Sequence, residues 1–140
     1  MTTAIDTNVL VALWDPDNTL NSAAQSGLDA AFRRGGLVVP APVYAELMAG
    51  PARSESFLDS FLRDTGISVD WHLDESTWRA AGLAFQHYTA RRRKQHDSGP
   101  RRILADFIIG AYARERQCGL LTLDDRFYRI SFPNLEIIKI

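Results

Sequence analysis

Four acidic residues interrupt apolar stretches of this sequence, and as a set they would suit the binding of hard metal ions. These residues are Asp6, Glu46, Asp106 and Asp124. Charged side chains are seldom buried without a partner, because an unpaired carboxylate inside a protein is costly. Four like charges gathered in one crevice would repel each other and would need cations. Oxygen-only donors favour Mg²⁺ or Mn²⁺, which activate water and stabilise charge on a phosphoryl group.

Asp106 has the strongest case for a functional role. It lies in a run of apolar residues that is typical of a buried helix, and Ile103 and Ile109 share its helical face. A contact with the helix N-terminus is the structural alternative, since the helix dipole favours an acid there. We favour the functional interpretation.

The other three acids have structural alternatives of their own. Asp6 would also serve as the N-cap of a helix, and Glu46 as a solvated helix residue. Asp124 would also form a turn together with its neighbour Asp125. Either of these two adjacent acids is a candidate for the fourth position, and the register after Thr122 favours Asp124.

The elements that must position these acids alternate between strands and helices. Strands are predicted at 3–5, 37–39, 67–71, 119–123 and 136–140. Helices are predicted at 9–14, 21–34, 42–49, 53–65, 75–92 and 101–116. This alternation indicates an α/β fold with a mostly parallel sheet. Because the carboxyl ends of parallel strands and the starts of the following helices meet in one crevice, we expect all four acids to converge there.

The remaining composition excludes several other classes of protein. The histidines His72, His87 and His96 are scattered and Cys118 is the single cysteine, so the sequence has neither a zinc pattern nor a disulfide framework. The length predicts a single domain over 1–140. No stretch approaches the ~20 apolar residues of a membrane span, and no secretory signal is visible, so we expect a cytoplasmic protein without membrane contact.

Four short motifs together resemble the PIN domain and, more narrowly, the VapC toxins of bacterial and archaeal toxin–antitoxin pairs. They are Ile5-Asp6-Thr7-Asn8, the segment 45–50, the segment 105–111 and Leu121-Thr122-Leu123-Asp124. Each motif is weak alone, but the four occur in order and span essentially the whole chain. The resemblance implies a three-layer PIN-like fold, with a mostly parallel five-stranded sheet flanked by helices.

The resemblance also implies an activity, a cofactor and partners. The activity would be that of a metal-dependent endoribonuclease with one or two Mg²⁺ or Mn²⁺ ions at Asp6, Glu46, Asp106 and Asp124. Asn8 and Thr122 match polar positions that support such a site. The partners would be the RNA substrate, a cognate VapB-like antitoxin and a second copy of the chain, with the homodimer formed through the helices at 21–34 and 53–65. As a toxin, the protein would inhibit translation.

A basic segment is a candidate path for the RNA backbone. Its residues are Arg91, Arg92, Arg93, Lys94, Arg101 and Arg102. The chain has a net charge of −1, so without the four acids the remainder carries about +3. Phosphate contacts of this kind would position RNA without reading its sequence. A solvated helix end is the structural alternative.

Three other functions remain as alternatives. A phosphatase of the haloacid-dehalogenase type needs a second aspartate two positions after Asp6, where this chain has Asn8. A receiver-type phosphoacceptor needs a lysine after its fifth strand, and the only lysines here are Lys94 and Lys139. A non-catalytic PIN-like binding protein would gain nothing from an unpaired acidic crevice.

Overall fold

The computed structural model describes residues 1–50, 53–96 and 99–140, and these ranges alternate between strands and helices. The strands are β1 (Thr3–Ile5), β2 (Leu37–Pro40), β3 (Ile67–Asp70), β4 (Gly119–Thr122) and β5 (Ile137–Lys139). The helices are α1 (Thr7–Leu13), α2 (Asn21–Arg34), α3 (Ala41–Met48), α4 (Glu55–Thr65), α5 (Glu75–Gln95), α6 (Leu104–Glu115) and α7 (Asp125–Ser131).

The five strands form one sheet in the order β3-β2-β1-β4-β5, and every pairing is parallel. In the central strand, Ala4 pairs with Val38 on one side and with Leu120 on the other. The α/β prediction with a parallel five-stranded sheet is therefore confirmed. The chain builds outward from β1 in one direction through β2 and β3, and in the other through β4 and β5. In open parallel sheets, ligands bind outside the carboxyl ends of the strands, at the point where the order of successive strands reverses.

An aromatic cluster joins the helices α5, α6 and α7. Phe107 of α6 stacks on Phe85 of α5, with ring centroids 4.6 Å apart. It also meets Phe127 of α7 edge to face at 5.3 Å. Such aromatic pairs stabilise a core by more than the apolar area that they bury. The cluster thus fixes α6, which carries Asp106, against α7, which follows Asp124.

Three helices differ most from the predictions, and the bounds of α1, α3 and α4 differ by one or two residues. Helix α6 begins at Leu104 and not at residue 101, because Ile103 has the extended backbone of an N-cap residue. Ile103 is consequently 56% exposed and does not share the buried face that the sequence suggested. Helix α5 continues to Gln95, three residues beyond the predicted end, and α7 was not predicted. Among the residues that the structure describes, no helix combines the length and the hydrophobicity that a transmembrane span requires.

Candidate active site

The four predicted acids lie on segments that leave the carboxyl edge of the sheet or on the helices beside it. Asp6 directly follows β1, and Asp124 follows β4 by two residues. Glu46 lies on α3, the helix after β2, and Asp106 lies in the first turn of α6. Electrostatic repulsion links Asp106 to each of the other three acids.

Asp6 is the buried member of the set, with only 5% of its surface exposed. The Thr122 hydroxyl donates a hydrogen bond of 2.8 Å to Asp6 Oδ2. Burial raises the pKa of Asp6 to about 6; Thr122 and Tyr128 oppose this increase, and the negative charge of Asp106 adds to it. Although Asp6 occupies the N-cap position of α1, its side chain makes no capping hydrogen bond. A capping role therefore does not explain this buried carboxylate.

Glu46 is held by a residue that the sequence did not identify. The Thr7 hydroxyl donates a hydrogen bond of 2.6 Å to Glu46 Oε1. Burial raises the pKa of Glu46; the Thr7 hydrogen bond lowers it, and the charge of Asp106 raises it further. Thr7 stands between Asp6 and Asn8 in the first motif. It therefore connects the end of β1 to α3.

Asp106 combines the two features that the sequence analysis gave as alternatives, a contact at a helix N-terminus and a place among the other acids. The Ile103 amide donates a hydrogen bond of 3.3 Å to Asp106 Oδ2, which is a contact typical of a helix N-terminus. Burial raises the pKa of Asp106, an effect that the Ile103 amide and Arg102 oppose and Asp124 reinforces. A helix-end contact and membership of an acidic set thus coexist at this residue.

The two adjacent acids after β4 have different partners. Asp124 forms an ion pair with Arg102. Asp125 lies 3.4 Å from Arg129 and 3.9 Å from Lys139. Asp125 is thus engaged by cations of α7 and β5, whereas Asp124 interacts electrostatically with Asp106. This difference in partners supports Asp124 as the fourth acid.

The two predicted supporting residues fix the backbone around the acids. Asn8 Oδ1 accepts a hydrogen bond of 3.2 Å from the Leu123 amide. Besides donating to Asp6, Thr122 Oγ1 accepts a hydrogen bond of 3.0 Å from the Asp124 amide. Thr122 therefore connects Asp6 to the backbone of Asp124, and Asn8 ties the start of α1 to the end of β4.

Tyr128 is a further member of the site that the sequence analysis did not single out. It is 1% exposed, and its hydroxyl makes no hydrogen bond of ordinary geometry to the described residues. The hydroxyl nevertheless lies near enough to Asp6 to lower the pKa of that carboxyl. Burial and the charges of Asp6 and Asp106 raise the pKa of Tyr128, so the phenol is neutral. A neutral donor beside a buried carboxylate favours the ionised form of the acid.

The donor set fits a hard divalent cation. Across the described ranges, no lysine, arginine or histidine nitrogen lies within 4.0 Å of the carboxylate oxygens of Asp6, Glu46 or Asp106. No three acids, histidines or cysteines of these ranges are close enough together to bind one ion as they stand. Repulsion between ionised carboxylates opposes a closer approach, and a divalent cation would offset it. Oxygen donors of this kind are those that Mg²⁺ and Mn²⁺ prefer.

The residues of the predicted basic segment differ in exposure, and Arg91, Arg92 and Arg102 are half-buried. Arg92 donates hydrogen bonds to the carbonyls of Gly99 at 2.6 Å and Pro100 at 3.3 Å, so it has a structural role. Arg93, Lys94 and Arg101 are exposed. A cavity of about 610 Å³ is lined partly by Arg92, Arg93, Arg101 and Arg102. A second cavity of about 310 Å³ is lined partly by Arg91, Arg92, Arg102 and Asp124, and so reaches the acids.

Comparison with models of known protein families identifies the family to which this chain belongs. The sequence model of the PIN domain matches residues 3–133, and the chain is a member of the PIN domain family. No curated protein gives a significant match.

Solved structures share this fold at low sequence identity. VapBC2 from Rickettsia felis, crystallised with a DNA fragment from its promoter, matches with a TM-score of 0.71 and 21% identity over 99% of this chain and 98% of that chain. VapBC-1 from nontypeable Haemophilus influenzae matches with a TM-score of 0.68 and 16% identity over 99% and 98% of the two chains. FitAcB from Neisseria gonorrhoeae matches with a TM-score of 0.66 and 17% identity over 98% and 96%.

The raised pKa of Asp6 predicts an effect of pH on stability. The folded protein binds this proton more tightly than the unfolded chain, whose ordinary value is 3.8, so stability falls as pH rises from about 4 to about 6. Above about pH 6 the buried charge of Asp6 lowers the free energy of unfolding by its full cost, on the order of 3 kcal/mol. In EDTA at pH 8, Asp6→Asn should therefore be more stable than the wild type, because the amide keeps an acceptor for Thr122 without the buried charge.

Urea unfolding of both proteins at pH 5 and pH 8 tests this expectation. The advantage of Asp6→Asn should be smaller at pH 5, where the wild-type carboxyl is largely protonated. A variant that is less stable than the wild type at pH 8, or equally affected at both pH values, would show that burial of the charge is not what limits stability here.

Proposed function

We propose that the chain is a Mg²⁺- or Mn²⁺-dependent endoribonuclease that hydrolyses RNA phosphodiester bonds and acts as the toxin of a VapBC-type toxin–antitoxin pair, inhibiting translation. Membership of the PIN domain family supports a nuclease in general. The observation that carries the metal-dependent form is the set of carboxylates around Asp106. The charge of Asp106 raises the pKa of Asp6 and Glu46, and the charge of Asp124 raises the pKa of Asp106. Among the described residues, no basic side chain forms an ion pair with Asp6, Glu46 or Asp106.

Asp6, Glu46 and Asp106 are proposed to hold the cation, and Asp124 to complete the set or hold a second ion. When bound, the cation supplies an activated water and stabilises charge on the phosphoryl group. The residues of the chain position these donors. Thr122 orients Asp6 and Thr7 orients Glu46, each through a hydroxyl hydrogen bond to a carboxylate oxygen.

The proposed route of the RNA backbone follows the basic cavities. Arg102 and Arg92 line both of them, and the exposed Arg93 and Arg101 line the larger one. Because the smaller cavity includes Asp124, a strand held along both would pass the acidic set. Contacts of this kind neutralise phosphates and weaken as salt concentration rises.

The proposed partners are an antitoxin and a second copy of the chain. The fold is shared with toxins that were solved as VapBC and FitAcB complexes. For the homodimer, the proposed surface is formed by α2 and α4, where Phe32 is 62% and Phe57 is 44% exposed. A cavity of about 340 Å³ lies between these helices and includes Leu28 and Phe61. Exposed aromatic side chains beside an apolar cavity are typical of interaction surfaces.

Induced expression tests the proposed activity and its metal requirement. After induction, the wild type should arrest growth, and sequencing of RNA 5′ ends should reveal new ends. Asp6→Asn should show neither effect. Asp17→Asn, which changes an exposed acid outside the helices and strands, is the matched control and should behave as the wild type. Purified wild-type protein should cleave the same RNA with Mn²⁺ or Mg²⁺ and not with EDTA. Identical 5′ ends in the wild type and Asp6→Asn would contradict the proposal.

A further inference from the structure

Arg102 is the one basic residue that the structure pairs with a member of the acidic set, among the residues described. Its guanidinium forms the ion pair with Asp124 and lies 4.4 Å from the centre of the Phe127 ring. The side chains of Arg102 and Asp124 are 37% and 29% exposed, so water reaches both. A pair at this exposure is weak, since solvent screens it and holding a long side chain costs entropy.

The backbone that carries Arg102 is fixed, although its side chain is partly exposed. The Arg102 amide donates a hydrogen bond of 2.8 Å to the Tyr88 hydroxyl. Arg92 holds the preceding residues through the carbonyls of Gly99 and Pro100. A rearrangement of Arg102 would therefore involve rotation of the side chain about a fixed anchor.

The position of Arg102 puts it in competition with a cation for the same carboxylate. Asp124 is the proposed fourth acid, and the charges of both Arg102 and Asp124 act on Asp106. A guanidinium stays protonated throughout the physiological pH range, so it cannot release Asp124 by losing a proton. A divalent cation bound at the acids would compete with it through a larger charge.

Once released from Asp124, the guanidinium would still lie among other cations. Arg102 lines both basic cavities, together with Arg93 and Arg101 in the larger and Arg91 and Arg126 in the smaller. A backbone phosphate is the anion that suits this position, because a guanidinium presents a planar pair of donors that matches phosphate oxygens.

We propose that Arg102 is an exchangeable counter-ion. It pairs with Asp124 in the resting protein, leaves that carboxylate when a divalent cation binds to the acids, and then binds a backbone phosphate of single-stranded RNA. This inference rests on the proposed function, because it assumes a cation at the acids and RNA in the cavities. It predicts that cation and RNA strengthen each other's binding by the same factor, since such coupling is reciprocal.

Titration with Mn²⁺ alone, monitored by calorimetry, tests the first half of the exchange. Arg102→Met should bind Mn²⁺ about threefold to tenfold more tightly than the wild type, because the competing cation is gone. Arg102→Lys, which keeps the charge, should stay closer to the wild type. The matched control is Arg129→Met, which removes the same charge from the neighbouring pair with Asp125 and should change the Mn²⁺ affinity less than about twofold.

Fluorescence anisotropy of a labelled single-stranded RNA tests the second half. Ca²⁺ serves as the cation, and a gel checks that the RNA keeps its length. Under these conditions the wild type should bind the RNA at least about fivefold more tightly than it does in EDTA. Arg102→Met should lose this gain, and Arg129→Met should keep it.

An undiminished gain in RNA binding by Arg102→Met would overturn the inference, and so would either of two results of the Mn²⁺ titration. One is an unchanged Mn²⁺ affinity in Arg102→Met, and the other is an equal increase in Arg129→Met, which would indicate a general charge effect. In either case a wild type that binds Mn²⁺ and cleaves RNA would leave the proposed function intact. A wild type that binds no Mn²⁺ would remove both the inference and the metal-dependent function.

Discussion

Asp106→Asn should reduce the rate of RNA cleavage by about 100-fold or more, which corresponds to about 2.7 kcal/mol of transition-state stabilisation. Asp106 is the acid whose charge acts on each of the other three. Replacing it with a neutral amide removes one donor from the cation and lowers the negative charge of the whole set. Both changes weaken the binding of a divalent ion that the reaction would need.

The loss should not come from unfolding. Asparagine keeps an oxygen that can accept the 3.3 Å hydrogen bond from the Ile103 amide. The variant gives up a favourable interaction between an acid and the helix N-terminus, worth about 0.3–1 kcal/mol. It also removes a partly buried charge whose raised pKa shows that the ionised form is unfavourable there. These two effects oppose each other, so the folded state should persist.

A pair of measurements separates chemistry from structure for this variant. Cleavage is compared with that of Asp125→Asn, which changes an acid engaged by Arg129 and Lys139 and should remain near the wild type. Mn²⁺ should raise the melting temperature of the wild type and of Asp125→Asn but not of Asp106→Asn. If Asp106→Asn cleaves RNA at the wild-type rate, the acidic set is not the catalytic centre.

The sheet could be predicted from the sequence because its strands are short apolar runs between helices. The helix Asn21–Arg34 was predicted with its observed ends, since its apolar residues recur on one face and Gly35 stops it. Helix α7 (Asp125–Ser131) was not predicted, because the adjacent Asp124 and Asp125 suggest a turn and only Phe127 and Tyr128 of the helix are buried. The strand order is set by tertiary packing and is not encoded in any single segment.

The acids of the site could be nominated from the sequence, but their partners could not. A carboxylate in an apolar run is visible in one dimension, as at Asp106. The contacts of Thr7 with Glu46 and of Arg102 with Asp124 join residues 39 and 22 positions apart, by the difference of their numbers, and depend on how the helices meet. The sequence analysis alone does not single out Tyr128. Its hydroxyl becomes informative only when its place beside Asp6 is known.

Gly110→Ala should destabilise the protein by about 1–3 kcal/mol, although alanine is the better helix former by about 1 kcal/mol. A Cβ atom at position 110 would lie 2.3 Å from the Phe132 ring, which is fully buried and cannot easily move. Gly82→Ala on α5 is the matched control. A Cβ there would meet no atom within 4 Å, so that variant should gain about 0.5–1 kcal/mol from helix propensity alone.

The close approach at Gly110 also matters for the acids. Asp106 and Gly110 are four residues apart on α6 and so share a face of that helix. Phe132 directly follows α7, and its ring centroid lies 6.5 Å from that of Tyr128. Contact between Gly110 and Phe132 therefore brings the end of α7, with Tyr128, against the face of α6 that carries Asp106. Separating these helices should move Asp106 away from the other acids.

Urea unfolding in two backgrounds identifies the clash as the cause. Phe132→Ala alone should cost about 3–5 kcal/mol, because it leaves a cavity in the core. In that background Gly110→Ala should become neutral or stabilising, since the ring it would strike is gone. A destabilisation of the same size in both backgrounds would show that Phe132 is not the obstacle. In that case the glycine would be needed for another reason. The contact between Gly110 and Phe132 would then not be what places Asp106 beside the other acids.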